Sequence, residues 1–358
     1  MSDAQRIRSA LSPGKVLLPL AIGVAAAWWL LDASLDDVVR DPATGLQTTT
    51  RELLQQFTWS ARSSWALGGA LLCVLLRDFA YMVRLRILGL GRLNWRSAFS
   101  SIVLWEFASA LTPSVVGGSA VAILILKREG LPVGRSVATV FVTALMDELF
   151  YILAVPLTAV AVAATGGAFF PEGSGDWPVA TLFAMGYGFI VVLTTLILLG
   201  VLVAPRRVQA LLDRWFQWRP LRRWRERVAA WSEDLVVASD AMRGSGWRLW
   251  AKAMGATVVS WSARFLTLNC LLLVFFEAVP HAAVMGRQLV MWIILMISPT
   301  PGSAGFAEVA LPEFLGDVTG LAYLAVVAVL WRLFTYFPYL FAGALVLPSW
   351  LSRTRRKG

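Results

Sequence analysis

Trp292-Ile-Ile-Leu-Met-Ile-Ser-Pro-Thr-Pro-Gly-Ser-Ala-Gly-Phe-Ala-Glu308 starts as a strongly apolar helix and then breaks. Pro299 and Pro301 lack a backbone donor and block helical continuation. Gly302 and Gly305 add backbone freedom, and Glu308 follows at once. In a water-soluble chain this would be an ordinary loop. Here it lies between segments that read as membrane-spanning. Free N–H and C=O groups at that depth are tolerated only against protein or a water-filled cavity. The stretch therefore reads as a re-entrant loop lining a site.

The composition supports the membrane setting. The 358 residues are 58% hydrophobic and 15% charged, with mean hydropathy +0.68, far too apolar for a soluble globular protein of this size. Several continuous apolar runs of about 20 residues point to spanning helices. A membrane β-barrel would show short alternating segments instead. The net charge of +10 fits cytoplasmic loops and contact with anionic membrane lipids, and no nucleic acid is expected. Cys73 and Cys270 lie inside apolar runs and read as packing residues. The sole histidine, His281, has no Cys or His neighbour, so neither a metal nor a cofactor is expected.

Working outward, the chain divides into six apolar spans and two broken segments. Span 1, Val16–Leu31, follows a charged front without a convincing cleavage site and reads as a retained signal-anchor. Residues 32–63 are polar. Span 2 covers about Ser64–Val83 and ends in a basic connector holding Arg84, Arg86, Arg92 and Arg96. Ala98–Leu111 is apolar but short, breaks at Thr112-Pro113-Ser-Val-Val-Gly117-Gly118, and resumes to Leu126. Span 3 is about Val137–Ala163 and span 4 about Val179–Val203. Residues 205–248, rich in Arg and Trp, read as a cytoplasmic amphipathic linker at the lipid interface, broken at Pro220. Span 5 is about Leu249–Phe276. Span 6, about Leu321–Leu347, follows the opening stretch.

With both termini placed in the cytoplasm, 25 of the 32 Lys and Arg residues fall on that side. Only Arg40, Arg51, Arg62 and Arg287 fall opposite, as the positive-inside rule requires. The expected location is a bacterial-type cytoplasmic (inner) membrane. Residues 16–165 and 178–347 then form two halves, each with three spans and a broken hairpin (98–126 and 286–315). Three crossings per half invert the second half relative to the first. The expected fold is an all-α polytopic membrane protein, a single membrane domain over 1–358, with six full spans plus two re-entrant broken hairpins in an inverted repeat. Such repeats with broken helices near the midplane are a transporter signature.

Ionisable residues inside spans face a partner or a cavity. Arg264 and Arg332 are candidates for holding a lipid phosphate, because guanidinium presents a fixed fork of donors. Thr112, Pro113, Gly117 and Gly118 of the first break join them as candidate binding residues. So do Pro299, Pro301, Gly302, Gly305 and Glu308 of the second, with the helix N-termini adding positive partial charge. Asp147, Glu148, Arg77 and Asp78 are coupling or ion-pair candidates, and Asp147-Glu148 lie at a depth that suits pairing with Arg332. The competing reading is that all of these charges form structural ion pairs. No Gly-Lys-Ser/Thr follows either glycine pair, and no Gly-x-Ser-x-Gly elbow or Asp-x-Asp pair occurs. No enzyme chemistry is expected.

Thr112-Pro113-Ser-Val-Val-Gly117-Gly118 with Leu126-Lys-Arg-Glu-Gly130, and Pro299-Thr-Pro-Gly302-Ser-Ala-Gly305-Phe-Ala-Glu308, together resemble a known family. They are similar to the paired signatures of the lysylphosphatidylglycerol synthase transmembrane region. The second family signature reads Pro-Gly-Gly-x-Gly-x-x-Glu, and Ser303 stands here where many members have its second glycine. The resemblance covers roughly residues 15–350. It implies a lipid flippase module, which in some members is fused to a cytoplasmic aminoacyltransferase. Only Arg353–Gly358 follow span 6, so the expectation is the membrane module alone.

The functional expectation is a flippase-like protein that moves an anionic lipid or lipid-linked molecule between leaflets. Its rivals are a membrane-embedded lipid-modifying enzyme or accessory subunit, and a non-transporting scaffold. The lipid, the energy source and the oligomeric state stay open at this point.

Overall fold

A computed structural model describes residues 21, 24–25, 28–40, 47–112, 115–171, 178–199, 205–217, 225–242, 244–296 and 300–355. Span 1 of the sequence reading lies largely outside these residues, as do Pro113, Pro220 and Pro299. Residues 32–63, expected only as a polar stretch, contain a two-stranded antiparallel ribbon. Its strands β1 (Val38–Arg40) and β2 (Gln47–Thr49) pair Val38 with Thr49. Helix α1 (Thr50–Gln56) follows, started by a capping box between Thr49 and Glu52. Tyr323 donates to the Leu53 carbonyl at 3.3 Å, so this unit caps one end of the bundle.

Among the described residues, five helices are long and apolar enough to cross a membrane. They are α2 (Ala61–Leu88), α5 (Val133–Ala164), α6 (Pro178–Leu198), α9 (Trp247–Phe275) and the pair α12 (Leu324–Thr335) and α13 (Phe337–Arg355). These match spans 2 to 6. Span 6 differs in being two helices, because Tyr336 leaves helical geometry at φ −127° and ψ −60°. Leu72, Phe79, Leu157, Met185 and Leu345 are exposed on these helices. In water such a belt would drive aggregation; in lipid it is the outer surface of a multi-pass membrane protein.

Between them lie helices too short to span. The first pair is α3 (Trp95–Leu111) and α4 (Val115–Arg128); the second is α10 (His281–Met296) and α11 (Phe306–Thr319). At 1.5 Å per residue the longest of these, α3, reaches about 26 Å, short of a bilayer core of about 30 Å. The linker folds into α7 (Pro205–Trp215) and α8 (Arg225–Met242). One face of α7 docks on the bundle, where Leu212 joins Leu145 and Ile197. Its Arg206, Arg207, Arg214 and Trp215 stay exposed.

The longest seam in the molecule joins α2 to α9. Ser63 donates to the Val274 carbonyl at 2.9 Å and Arg84 to Thr257 at 2.9 Å. The two helices therefore run antiparallel. Cys270 lies opposite Gly69, and both cysteines are free. Around this seam, α3 packs on α13 and α10 packs on α5. The larger core is built on α5, α9, α10 and α12, and a smaller one gathers α3, α4 and α13 around Tyr336 and Trp350.

Two charges sit elsewhere than expected. Arg84, read as a connector residue, is inside α2 and buried. Arg287, counted among the four basic residues on the far side, is buried on α10 and pairs with Asp317 at 2.7 Å. Gly118 explains part of the first break's composition: a Cβ there would stand 3.1 Å from the Ser109 Cα, so α3 and α4 touch backbone to backbone. Gly118→Leu should lower stability by about 1–3 kcal/mol through overpacking, read as a lower unfolding temperature in detergent.

Candidate functional site

The two breaks approach each other. Tyr336 at the α12–α13 break donates to the Ala110 carbonyl, near the end of α3, at 3.4 Å. A Cβ on Gly302 would stand 3.1 Å from that same oxygen. Gly302 also has φ +56°, so both its conformation and its neighbours call for glycine. The one-turn 3₁₀ helix Pro301–Ser303 occupies this point. Ser303 itself adopts φ +53° and donates to the Leu295 carbonyl at 2.9 Å. The glycine that many relatives are expected to carry there suits that left-handed geometry.

The second break is braced from within. Glu308 is fully buried; one carboxylate oxygen accepts from the Gly305 N–H at 2.9 Å, capping α11. The other pairs with Arg332 Nε at 3.0 Å, and Arg332 Nη2 donates to the Gly302 carbonyl at 3.1 Å. Arg332 therefore reaches Glu308, not Asp147-Glu148 as the sequence reading expected. Its guanidinium lies 3.8 Å from the centre of the Tyr336 ring. The α11 N-terminus is occupied by its own glutamate.

Between the breaks and the α2–α9 seam lies a cavity of about 300 Å³. Of the candidate residues, Thr112, Asp147, Glu148, Arg264, Gly302 and Arg332 line it. Gly118, Pro301, Gly305, Glu308, Arg77 and Asp78 are not among its lining residues, and Gly117 is not placed relative to it. Pro113 and Pro299 fall outside the described residues. The wall is rich in rings, among them Trp105, Tyr151, Trp261, Trp292, Trp331 and Tyr336.

Most of the charge here is internally paired. Arg77 lies 2.7 Å from Glu106 and donates to Tyr339 at 2.7 Å, while Tyr339 donates to Asp78 at 2.6 Å. Asp147 is held by Arg84 and by the Trp261 Nε1–H at 2.7 Å. Two groups differ. Arg264 has no hydrogen bond or ion pair within 4 Å among the described residues. Its guanidinium sits 4.1 Å from the Trp292 ring centre and 5.0 Å from that of Trp261. Glu148 likewise has no cation partner among the described residues, and one of its oxygens is buried without a hydrogen bond. An anion at Arg264 would gain a charge-assisted contact without breaking one.

Glu106, Trp261, Trp292 and Tyr339 are not among the site candidates that the sequence offers, and Arg84 reads there as a connector residue. Aromatic side chains inside apolar runs carry no local signal that separates a cavity wall from lipid-facing surface. Among the described residues, no group of three His, Cys, Asp or Glu side chains is placed to hold a metal ion.

Buried charges, broken helices and a cavity between them in an apolar helical bundle define a multi-pass membrane protein with an internal polar site. The chain belongs to the family of the lysylphosphatidylglycerol synthase transmembrane region, whose profile matches residues 16–343. It is also similar to a UPF0104 membrane protein of Archaeoglobus fulgidus. The two are 24% identical over 312 residues, covering 81% of this chain and 89% of that one. No solved structure matches.

Removing one partner of the Glu308–Arg332 pair would leave the other charge buried alone. Glu308→Ala or Arg332→Ala should each cost about 3–5 kcal/mol, measured as loss of folded protein in a detergent thermal-unfolding assay. The double substitution Glu308→Leu with Arg332→Met should recover part of that loss.

Proposed function

We propose that this protein moves an anionic lipid, or a lipid-linked molecule with an anionic headgroup, between the leaflets of a bacterial-type cytoplasmic membrane. The observation that carries this reading is Arg264. It is a cation lining the central cavity, backed by two tryptophan rings, and among the described residues no carboxylate lies within ion-pair reach of it. A structural arginine at membrane depth would be expected to hold a fixed counter-charge, as Arg77, Arg84 and Arg332 do. A weakly hydrated guanidinium on aromatic faces suits phosphate, and the surrounding rings suit the apolar part of an amphiphile.

The full topology is part of the same proposal: six spans, both termini cytoplasmic, and two re-entrant hairpins entering from opposite sides. Two packing relations support it. The second spans of the halves, α2 and α9, meet antiparallel along one seam. The leading hairpin helix of each half also packs on the third span of the other, α3 on α13 and α10 on α5. A two-fold axis in the membrane plane produces both relations, and it allows alternating access around one central site.

No observation among the described residues favours the enzyme reading. The scaffold reading leaves Arg264 without a purpose. Reconstitution into liposomes with fluorescent phosphatidylglycerol tests the proposal, transfer being read by quenching of outer-leaflet label. Arg264→Ala should slow transfer at least about tenfold with unchanged thermal stability, and Arg264→Lys should keep part of the rate. Wild-type protein that moves neither this lipid nor other anionic lipids would overturn the reading. So would an Arg264→Ala variant as fast as wild type.

A further inference from the structure

Along α5, Ser136, Thr139, Thr143, Asp147 and Tyr151 recur every three or four residues, which sets them on one helix face. Ser136 starts this file by donating to the Pro132 carbonyl at 3.1 Å. Thr257, Thr267 and Thr335 turn their hydroxyls back to the carbonyl four residues earlier, at 3.0, 2.9 and 2.6 Å. Any helical threonine has that option. The hydroxyls of Thr139 and Thr143 are buried and do not use it, and the Tyr151 hydroxyl is buried without a hydrogen-bond partner among the described residues as well. Such groups at membrane depth are stable when water reaches them. The file leads from the Val133 end of α5 to Asp147 at the cavity, with Glu148 the next residue and lining the same space.

Those two differ in their surroundings. Asp147 is fixed by Arg84 and Trp261. Glu148, beside it, faces the cavity with one oxygen buried and unbonded. The ionisable groups that share this cavity are Tyr81 and Arg84 of α2, Glu106 of α3, Tyr151 of α5 and Arg264 of α9. Arg332, Tyr336 and Tyr339 complete the set across the α12–α13 break. Glu106 and Arg332 are already paired. Among the elements packed on α5, α6 brings Tyr187, which donates to the Ile152 carbonyl at 3.0 Å. The contributions of α4 and α10 to the cavity wall are not titratable. Near its start α5 meets α8, where Arg135 reaches Met242, more than three turns from Glu148.

We infer that Glu148 is a proton-binding site, loaded through the Thr139–Thr143 hydroxyl file, and that its proton travels with the anionic cargo. The inference rests on the transporter reading above. The physical reason is charge balance in a cavity of about 300 Å³. An anionic headgroup on Arg264 and an ionised Glu148 would repel each other at low dielectric. A proton on the Glu148 carboxylate forms the neutral acid and removes that repulsion. Proton and anion binding then strengthen each other reciprocally.

Two measurements on the full-length protein test this. In nanodiscs, infrared difference spectra across a pH step should show a protonated-carboxyl stretch that disappears as pH rises. Glu148→Gln, which keeps the side-chain shape, should lack that band, and Asp147→Asn should retain it. Thr139→Val with Thr143→Val should slow its response about tenfold or more. In liposomes holding fluorescent phosphatidylglycerol, a proton gradient should change wild-type transfer by about fivefold or more. Glu148→Gln should transfer at one rate with or without the gradient. No titrating band assignable to Glu148, or a Glu148→Gln variant that responds to the gradient like wild type, overturns the inference. A titrating Glu148 in a protein that moves no anionic lipid overturns the transporter reading, and with it the coupling, while leaving the proton site in place.

Discussion

Everything in this molecule depends on how a broken helix is satisfied at membrane depth. The turn after α10 frees backbone groups that lipid cannot meet. The Gly302 carbonyl goes to Arg332, the Gly305 N–H goes to Glu308, and the arginine and glutamate close on each other. Three costs are settled by one pair: the loose carbonyl, the uncapped helix and the two buried charges. The brace also fixes α12 against α11, and Tyr336 beside it reaches the end of α3. A cavity can exist here because the Gly302–Gly305 turn does not have to fill the space to protect its own backbone.

The remaining charges divide by whether they have a partner. Arg77, Arg84, Asp147 and Glu106 are locked in ion pairs and aromatic contacts that knit α2 to α3 and α5. Their role is to hold geometry, and each is costly to break because the survivor would be buried and unpaired. Arg264 and Glu148 lack such locks among the described residues and face the same space. One is a cation on an aromatic bed and the other a carboxyl at the end of a hydroxyl file. The rigid pairs keep the wall in place, and the two open groups give it chemistry.

Much of this architecture was legible from the chain. Continuous apolar runs gave five of the spans, because side chains that face either protein or lipid leave no polar face to confuse the pattern. Proline and glycine marked both breaks, because at those points backbone geometry is dictated by residue type: Gly302 at φ +56° is the clearest case. Partner choice was not legible. Arg332 pairs with Glu308, 24 residues away, and not with Asp147, because the brace needs a carboxylate that can also cap α11. Arg84 looked like a connector residue because it sits beside Arg86 at the end of an apolar run. Only the packing of α2 on α5 and α9 shows that its side chain turns inward to Asp147 and Thr257. The tryptophans of the cavity wall carried no sequence signal that separates them from lipid-facing aromatics.

The distribution of bonds between the two halves bears on how a site like this would change its access. The embedded ion pairs lie inside a half: Arg77–Glu106 and Arg84–Asp147 in the first, Arg332–Glu308 and Arg287–Asp317 in the second. The polar links across the halves at the same depth mostly have a neutral partner, as in Trp261 to Asp147, Arg84 to Thr257 and Tyr336 to Ala110. Such bonds are individually weaker than buried ion pairs and leave no stranded charge pair when they part. Ionic links between the halves occur toward the helix ends. Arg353 pairs with a fully buried Glu129, which also accepts from Trp350 at 2.7 Å; Arg62 and Glu277 make a looser, exposed contact at 3.7 Å. Under the transporter reading, each half would move as a braced body, and the seam would slide on apolar contacts and neutral hydrogen bonds. The end closed by Glu129 and Arg353 would be the harder one to open.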